Sequence, residues 1–380
     1  MTTQSLGVLR RLAAPATLVL TASLGAQQID VALCAAAGSA AGCQWSNVQT
    51  TLVGTGRFNN VDIIDVSAAG TGTPTLEQLL QYDALLCWTN TTPADNNAWG
   101  DVLADYVDAG GGVVVAVFAN STTTAGRNIG GRWQNGYEVV LDQSGNASGA
   151  NGTLGTVHVP THPVMAGVTQ FTGGSTGSRP SGTTLEVGAT LIAEWNDGKV
   201  LVAEGANPRR VDLGFYPPSS ACSGSGWALG GDLLMANALH AVSGGARFAP
   251  YGAGCAGSSG VPTLDSGGTR PTLGSTFSVV VGNVPNGVVA IVYGFSATAW
   301  GPFALPLELG PYGMAGCYLH ADIQTAVSAG GGSTVTQMVL IPNDSNLLGR
   351  SVYTQAFVID QPATPLGLTV SNAGRVRIGT

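Results

Sequence analysis

Charge is what this chain lacks most. Asp, Glu, Lys and Arg make up 9% of its 380 residues, against about 25% in an ordinary globular domain. Lysine occurs once, at Lys199, and no basic cluster exists. That excludes the electrostatic footprint by which proteins hold nucleic acid or anionic membrane surfaces. No CxxC pair and no Cys/His cluster is present, so no metal or other cofactor is implied. After residue 26 no apolar stretch is long enough for a membrane-spanning helix. The scarcity of charge does not mean disorder, because 44% of the residues are hydrophobic. With 56 glycines and abundant Thr, Ser and Asn, it points to a rigid exterior rich in β-structure and loops.

The N-terminus carries the order expected of a secretory signal. Arg10 and Arg11 supply the positive region, Leu12–Leu24 the apolar run, and Ser23, Gly25 and Ala26 the small residues. The run is shorter than the roughly 18–20 residues of a spanning helix. Residues 1–26 are therefore expected to be a cleaved signal peptide, placing the mature chain outside the cytoplasm, secreted or in the cell envelope. The formal charge is −8. Residues 27–247 hold 17 acids against 8 bases, and residues 248–380 hold 5 against 4.

Six cysteines in an exported chain read as disulfides. The expected pairs are Cys34–Cys43, which is local, and Cys255–Cys317, which lies within the second half. Cys87–Cys222 follows by elimination.

Two rhythms divide the chain. From Ile29 to Gly244, short apolar runs at Ile29–Ala35, Val61–Val66, Ala84–Thr89 and Gly112–Phe118 alternate with helical stretches at Trp45–Val53, Leu76–Gln81 and Trp99–Ala109. Strands are also expected at Glu138–Leu141, Thr190–Trp195, Lys199–Glu204 and Arg210–Phe215, with a closing helix at Gly231–Val242. That alternation implies βαβ units and a parallel sheet covered on both faces. Asp101, Asp105 and Asp108 recur at helical spacing and read as a solvated face. Beyond Arg247 no helical period remains. Thr276–Val281 and Val288–Phe295 flank Asn286-Gly287, a hairpin signal. Further runs at Leu305–Leu309, Thr334–Ile341, Ser351–Ile359, Leu366–Val370 and Arg375–Ile378 suggest an all-β sandwich. The expected organisation is a signal peptide (1–26), an α/β domain (27–247), a Gly/Ser-rich join (248–268) and a β-sandwich (269–380).

Four stretches of the first half stand out: Tyr82-Asp83-Ala84-Leu85-Leu86, Tyr106-Val107 with Gly110-Gly111-Gly112, Thr161-His162-Pro163 with Gly167, and Gly214-Phe215-Tyr216-Pro217. In these the first half resembles the class I glutamine amidotransferase-like superfamily, in particular its trehalose-utilisation-type branch. The resemblance implies a flavodoxin-like fold with its site at the carboxyl ends of the parallel strands. Active amidotransferases place a nucleophilic Cys on the turn after the fourth strand, and a His takes and returns its proton. Here that turn reads Val117-Phe118-Ala119-Asn120-Ser121, and the "FHPE"-like segment reads Phe215-Tyr216-Pro217-Pro218. Nucleophile, base and orienting acid are all replaced. The second half resembles C-terminal β domains appended to secreted bacterial proteins of unassigned function. Tyr251-Gly252-Ala253-Gly254-Cys255, Gly316-Cys317, Tyr353-Thr354-Gln355-Ala356 and Leu368-Thr369-Val370-Ser371-Asn372 carry that likeness.

Ser121 and His162 are the remaining weak catalytic candidates. Asp65, Trp88, Asn90, Asn120, Arg132, Trp133 and Tyr216 are expected near the strand-end cleft, where indole rings and polar groups suit a sugar-like ligand. The expected function is a non-catalytic, exported binding module with a carbohydrate or cell-envelope partner and a β-domain for attachment. The alternatives are a hydrolase working in the same cleft without Cys, and a structural envelope protein.

Overall fold

The computed structural model describes residues 28–38 and 42–379. The expected signal peptide lies outside them. Strands of the first unit are β1 (Ile29–Ala35), β2 (Phe58–Asp65), β3 (Ala84–Cys87), β4 (Gly112–Ala116), β5 (Leu154–Val157), β6 (Thr190–Trp195), β7 (Val200–Glu204) and β8 (Arg210–Leu213). Its helices are α1 (Cys43–Gly54), α2 (Leu76–Leu79), α3 (Asn96–Asp108) and α4 (Gly231–Val242). The strands form one sheet in the order β2-β1-β3-β4-β8-β7-β6-β5. The first five are parallel and the last three antiparallel. The parallel part has the doubly wound, flavodoxin-like order. The antiparallel half departs from the all-parallel expectation. Glu138–Leu141, expected as a strand, makes only an isolated bridge between Val140 and Leu185.

Strands buried on both faces explain the continuous apolar runs. Val31, Leu33, Leu86, Val114 and Leu213 pack against Trp45, Val48 and Leu52 of α1 and against Leu234, Leu239 and Val242 of α4. Ala32, Leu85, Val113 and Val115 face the other way, onto Leu79 of α2 and Trp99, Leu103 and Tyr106 of α3. Each fully buried Val or Leu among them contributes roughly 1.5–3 kcal/mol. Local chemistry starts the helices. Asp95 accepts hydrogen bonds from the backbone N–H of Asn97 and Ala98 at the head of α3, and Thr75 with Gln78 forms a capping box on α2.

The second unit holds β9 (Arg247–Tyr251), β10 (Thr263–Asp265), β11 (Thr276–Gly282), β12 (Val288–Gly294), β13 (Thr325–Gly330), β14 (Val335–Leu340), β15 (Ser351–Ile359) and β16 (Leu368–Arg377). They build a five-stranded sheet, β9-β16-β15-β12-β13, and a three-stranded one, β10-β11-β14. Phe277, Val279 and Val281 from the smaller sheet share one apolar cluster with Val289, Ile291 and Val358 from the larger. Three expectations are corrected here. The 248–268 join contributes β9 and β10. The runs at Leu366–Val370 and Arg375–Ile378 are one strand, β16. The Asn-Gly signal does not close a hairpin, because β11 pairs with β10 and β14 whereas β12 pairs with β13 and β15. The connection instead carries the chain from one sheet to the other, with Val284 buried in the shared core.

Only one of the three expected disulfides forms as anticipated. Cys255–Cys317 is present, but Cys43 bonds Cys222 across 179 residues, and Cys34 and Cys87 are free and buried. Cys34 points into the sheet core while Cys43 heads α1, which rules out the local pair. Cys34 and Cys87 sit side by side on β1 and β3 with their thiols in hydrogen-bond contact. Burial first, and then that neighbouring thiol, push the Cys87 thiol well above its ordinary pKa, so it stays protonated.

The units meet at Asp83, which is fully buried at the entrance to β3. Its carboxylate takes the guanidiniums of Arg247 on β9 and of Arg375 and Arg377 on β16. It also accepts the Asp30 N–H at 2.9 Å. Burial alone would raise its pKa; Arg377, Arg247 and Arg375 outweigh that and hold it at about 2.

Two predictions follow from this packing. Asp83→Ala removes the counter-charge that three buried arginines share, leaving Arg247 and Arg377 unpaired, and urea denaturation is expected to show a loss of about 3–5 kcal/mol. The folded pKa of Asp83 lies below that of a free Asp. Its contribution is therefore complete above about pH 4 and disappears as pH falls towards 2. An Asp83→Ala loss that stayed constant over that range would contradict the assignment. Thiol titration without reductant should find two reactive thiols after unfolding and none before; a count of zero or six after unfolding would refute the pairing.

Candidate functional site

The carboxyl ends of β4 and β8 are neighbours, with Ala116 opposite Leu213. Beyond β4 the chain turns through Phe118, Asn120 and Ser121; beyond β8 it continues through Gly214, Phe215 and Tyr216. Gly214 is required there. A Cβ would run into the Val200 carbonyl oxygen on the adjacent strand. Its own carbonyl takes the Trp195 indole N–H at 2.8 Å. The two turns place the Phe118 and Tyr216 rings 5.3 Å apart. At the end of β3, Trp88 packs 5.3 Å from Trp45 of α1. Trp88 is 0%, Tyr216 2% and Asn120 6% exposed. Bulky side chains therefore fill much of the space where this fold places its chemistry.

Not all expected site residues converge. Trp88, Asn120, Ser121 and Tyr216 do lie at the strand ends. Asn90 is exposed just beyond them, its N–H bonded to the Ala36 carbonyl. Asp65 ends β2 and accepts from the Ser67 N–H. Arg132 and Trp133 do not belong to the cleft. They lie on a 3-10 turn, Gly131–Gln134, packed on α3. Arg132 pairs with Asp105 and Asp108, and its backbone N–H donates to Asp101, so the acidic face is partly neutralised. Trp133 is buried with Trp99 and Ile129.

The weak catalytic candidates are occupied elsewhere. The Ser121 hydroxyl is fully buried, 3.0 Å from the Thr123 hydroxyl, and accepts from Asn146 at 3.1 Å. No histidine bonds it. His162 accepts the Val164 N–H on Nδ1, and its Nε2 lies 3.1 Å from Glu204. His158 pairs likewise with Glu194 at 3.3 Å. Both histidines fasten a loop to β6 and β7.

Sequence reasoning overlooked Arg127. Its guanidinium lies 4.7 Å from the centre of the Phe118 ring. Its Nε is buried and, like the Tyr216 hydroxyl, the Asn120 amide oxygen and the Trp88 indole N–H, meets no hydrogen-bond partner among the described residues. Burial lowers the Arg127 pKa somewhat, with the Tyr216 oxygen acting the other way, and burial raises the pKa of Tyr216. Tyr216 thus stays a neutral hydroxyl beside a cation. An arginine isolated between Gly126 and Asn128 belongs to no motif, so only the folded arrangement reveals it.

No family model matches this sequence, and no curated protein does. Among solved structures, a ThuA-like protein from Bacteroides uniformis is 18% identical over 58% of this chain and 94% of its own, with a TM-score of 0.41. A ThuA-like protein from Parabacteroides merdae is 15% identical over 57% and 90%, with a TM-score of 0.35.

Two other places draw attention. A cavity of about 230 Å³ lies between the units, lined by Asp30, Asp62, Tyr82, Tyr251, Tyr353 and Arg375. Its polar groups largely satisfy one another: Arg375 meets Asp30 at 3.2 Å, and Tyr251 donates to the His320 carbonyl. It reads as a seam between the units. The second place is an acidic cluster behind β8. Burial first, then Asp142, raises Glu138 to about 7; burial first, then Glu138, raises Asp212 to about 8 against the Val140 N–H bond at 2.9 Å. These groups fasten residues 136–142 to the sheet, helped by Arg210, which donates to the Gly136 carbonyl at 2.9 Å. Among the described residues, no group of three or more His, Cys, Asp or Glu is placed to hold a metal ion.

The Asp212 carboxyl gives a pH prediction. Its folded pKa lies above the unfolded value, so folding favours the protonated form and stability falls as pH rises from about 4 to about 8. Asp212→Asn keeps the acceptor for Val140 and removes the ionisation. Its stability relative to the parent should grow between pH 5 and pH 8 in urea titrations. A difference that shrinks with pH would reverse the assignment.

Proposed function

We propose that this is an exported, non-catalytic protein. Its N-terminal unit keeps an amidotransferase-like framework and binds a ligand or partner, with carbohydrate as the leading class. Its C-terminal unit, a β-sandwich, serves for attachment. The observation that carries this reading is the occupation of the strand ends. Phe118 stands on the turn where the resemblance implies a nucleophile, and Tyr216 stands where it implies the base. Neither can supply a thiolate or an imidazole. A hydrolase reading would need Ser121 activated by a base, and its hydroxyl is engaged by Thr123 and Asn146 instead. Two disulfides support an extracytoplasmic setting. Among the described residues no helix is long and apolar enough to cross a membrane.

The mature chain is expected to hydrolyse no nitrophenyl ester or glycoside above the buffer rate, while at least one saccharide raises its Tm in a thermal-shift screen. Turnover that disappears in Ser121→Ala or His162→Ala would establish the hydrolase instead. A screen without a shift would remove the binding role and favour a structural envelope protein.

A further inference from the structure

We propose that the N-terminal unit recognises a small molecule bearing a carboxylate, held by the guanidinium of Arg127 with the hydroxyl of Tyr216 beside it. The proposal rests on the binding-module reading and specifies its ligand class.

Arg127 is set apart from other arginines of this chain. Arg132, Arg179, Arg210, Arg247, Arg375 and Arg377 each meet a carboxylate. Arg127 makes no ion pair among the described residues and is half-buried. Partial burial removes some of its hydration without returning a counter-charge, which is an unfavourable arrangement for a cation. The face of the guanidinium is satisfied by the Phe118 ring at 4.7 Å. Its edge is not: Nε is buried and meets no acceptor. A planar guanidinium stacked on its face and unpaired along its edge has the geometry for a two-pronged carboxylate bond.

Tyr216 supplies the independent observation. It is 2% exposed, its ring lies 5.3 Å from that of Phe118, and its hydroxyl has no partner among the described residues. A buried hydroxyl left without a partner is destabilising, so an acceptor in this place would be compensated twice, by Arg127 and by Tyr216. Phe118 and Arg127 remain partly exposed, so the cation side of this arrangement faces solvent. The residues that displaced the nucleophile and base thereby acquire a use: they stack on, and lie beside, an unpaired cation.

The test is isothermal titration calorimetry of the disulfide-intact mature chain with sodium acetate, D-glucuronate and D-glucose. The carboxylates should bind more tightly than glucose. Arg127→Gln should weaken glucuronate by about tenfold or more, and Arg127→Lys should recover only part, since an ammonium cannot offer the paired edge. Tyr216→Phe should weaken glucuronate while leaving Tm unchanged or higher, because it removes an unpaired buried hydroxyl. A purely structural tyrosine would not separate the two readouts. The proposal is overturned if the carboxylates bind no better than glucose, or if Arg127→Gln leaves glucuronate affinity unchanged. Glucose binding that survives Arg127→Gln in a protein indifferent to carboxylates would defeat this inference and leave the binding module standing. No binding by any of the three, with no shift in the saccharide screen, would count against both.

Discussion

One buried carboxylate anchors the contact between the two units. Asp83 sits at the entrance to β3, wholly out of water, and three arginines from the second unit converge on it. Burying four charges is costly unless the geometry is good and the remaining valences are filled. Here the Asp30 N–H fills one of them, and Arg375 reaches on to Asp30 itself. Because β9 and β16 are adjacent strands, one acid fixes the edge of the five-stranded sheet against the amino ends of β1 and β3. In a chain so poor in charge, spending three arginines on one acid ties the contact between the units to specific residues. The Tyr82-Asp83 pair that resembles a family strand entrance therefore does a second job.

Much of the first unit was legible because its elements are set by local burial. Ile29–Ala35, Thr190–Trp195 and Gly231–Val242 match the expected bounds, as does Ser351–Ile359 in the second unit. Each is an apolar run with clear punctuation. What failed depended on information no short window holds. Asn286-Gly287 has hairpin chemistry, yet the flanking strands belong to different sheets. Strand β5 has only four residues and contains Gly155, so it carries little β signal. The cysteine pairing followed proximity in sequence, but topology brings the head of α1 to a loop that follows β8.

The site was legible in part for the same reason. The turn after β4 and the segment after β8 could be located because the strands feeding them are strongly apolar. The absence of Cys and His there could be read directly. Trp88, Asn120 and Tyr216 fell where expected. Arg132 and Trp133 did not, because a 3-10 turn carries them onto α3. The two residues at the centre of the local arrangement, Phe118 and Arg127, are nine positions apart and share no pattern. Their significance is a matter of which charges remain unpaired after folding, and that can be counted only in three dimensions.

The Cys43–Cys222 bridge has a mechanical consequence. It joins the first crossover helix to the loop beyond the last sheet strand, with a Cα–Cα span of 5.7 Å across 179 residues of sequence. A tensile load applied between β1 and the second unit can pass from Cys43 directly to Cys222. The intervening polypeptide, including the turn with Phe118 and Arg127, is bypassed by the covalent path. A protein tethered through its β unit and pulled from its amino end would yield at its flanks while residues 44–221 remained slack.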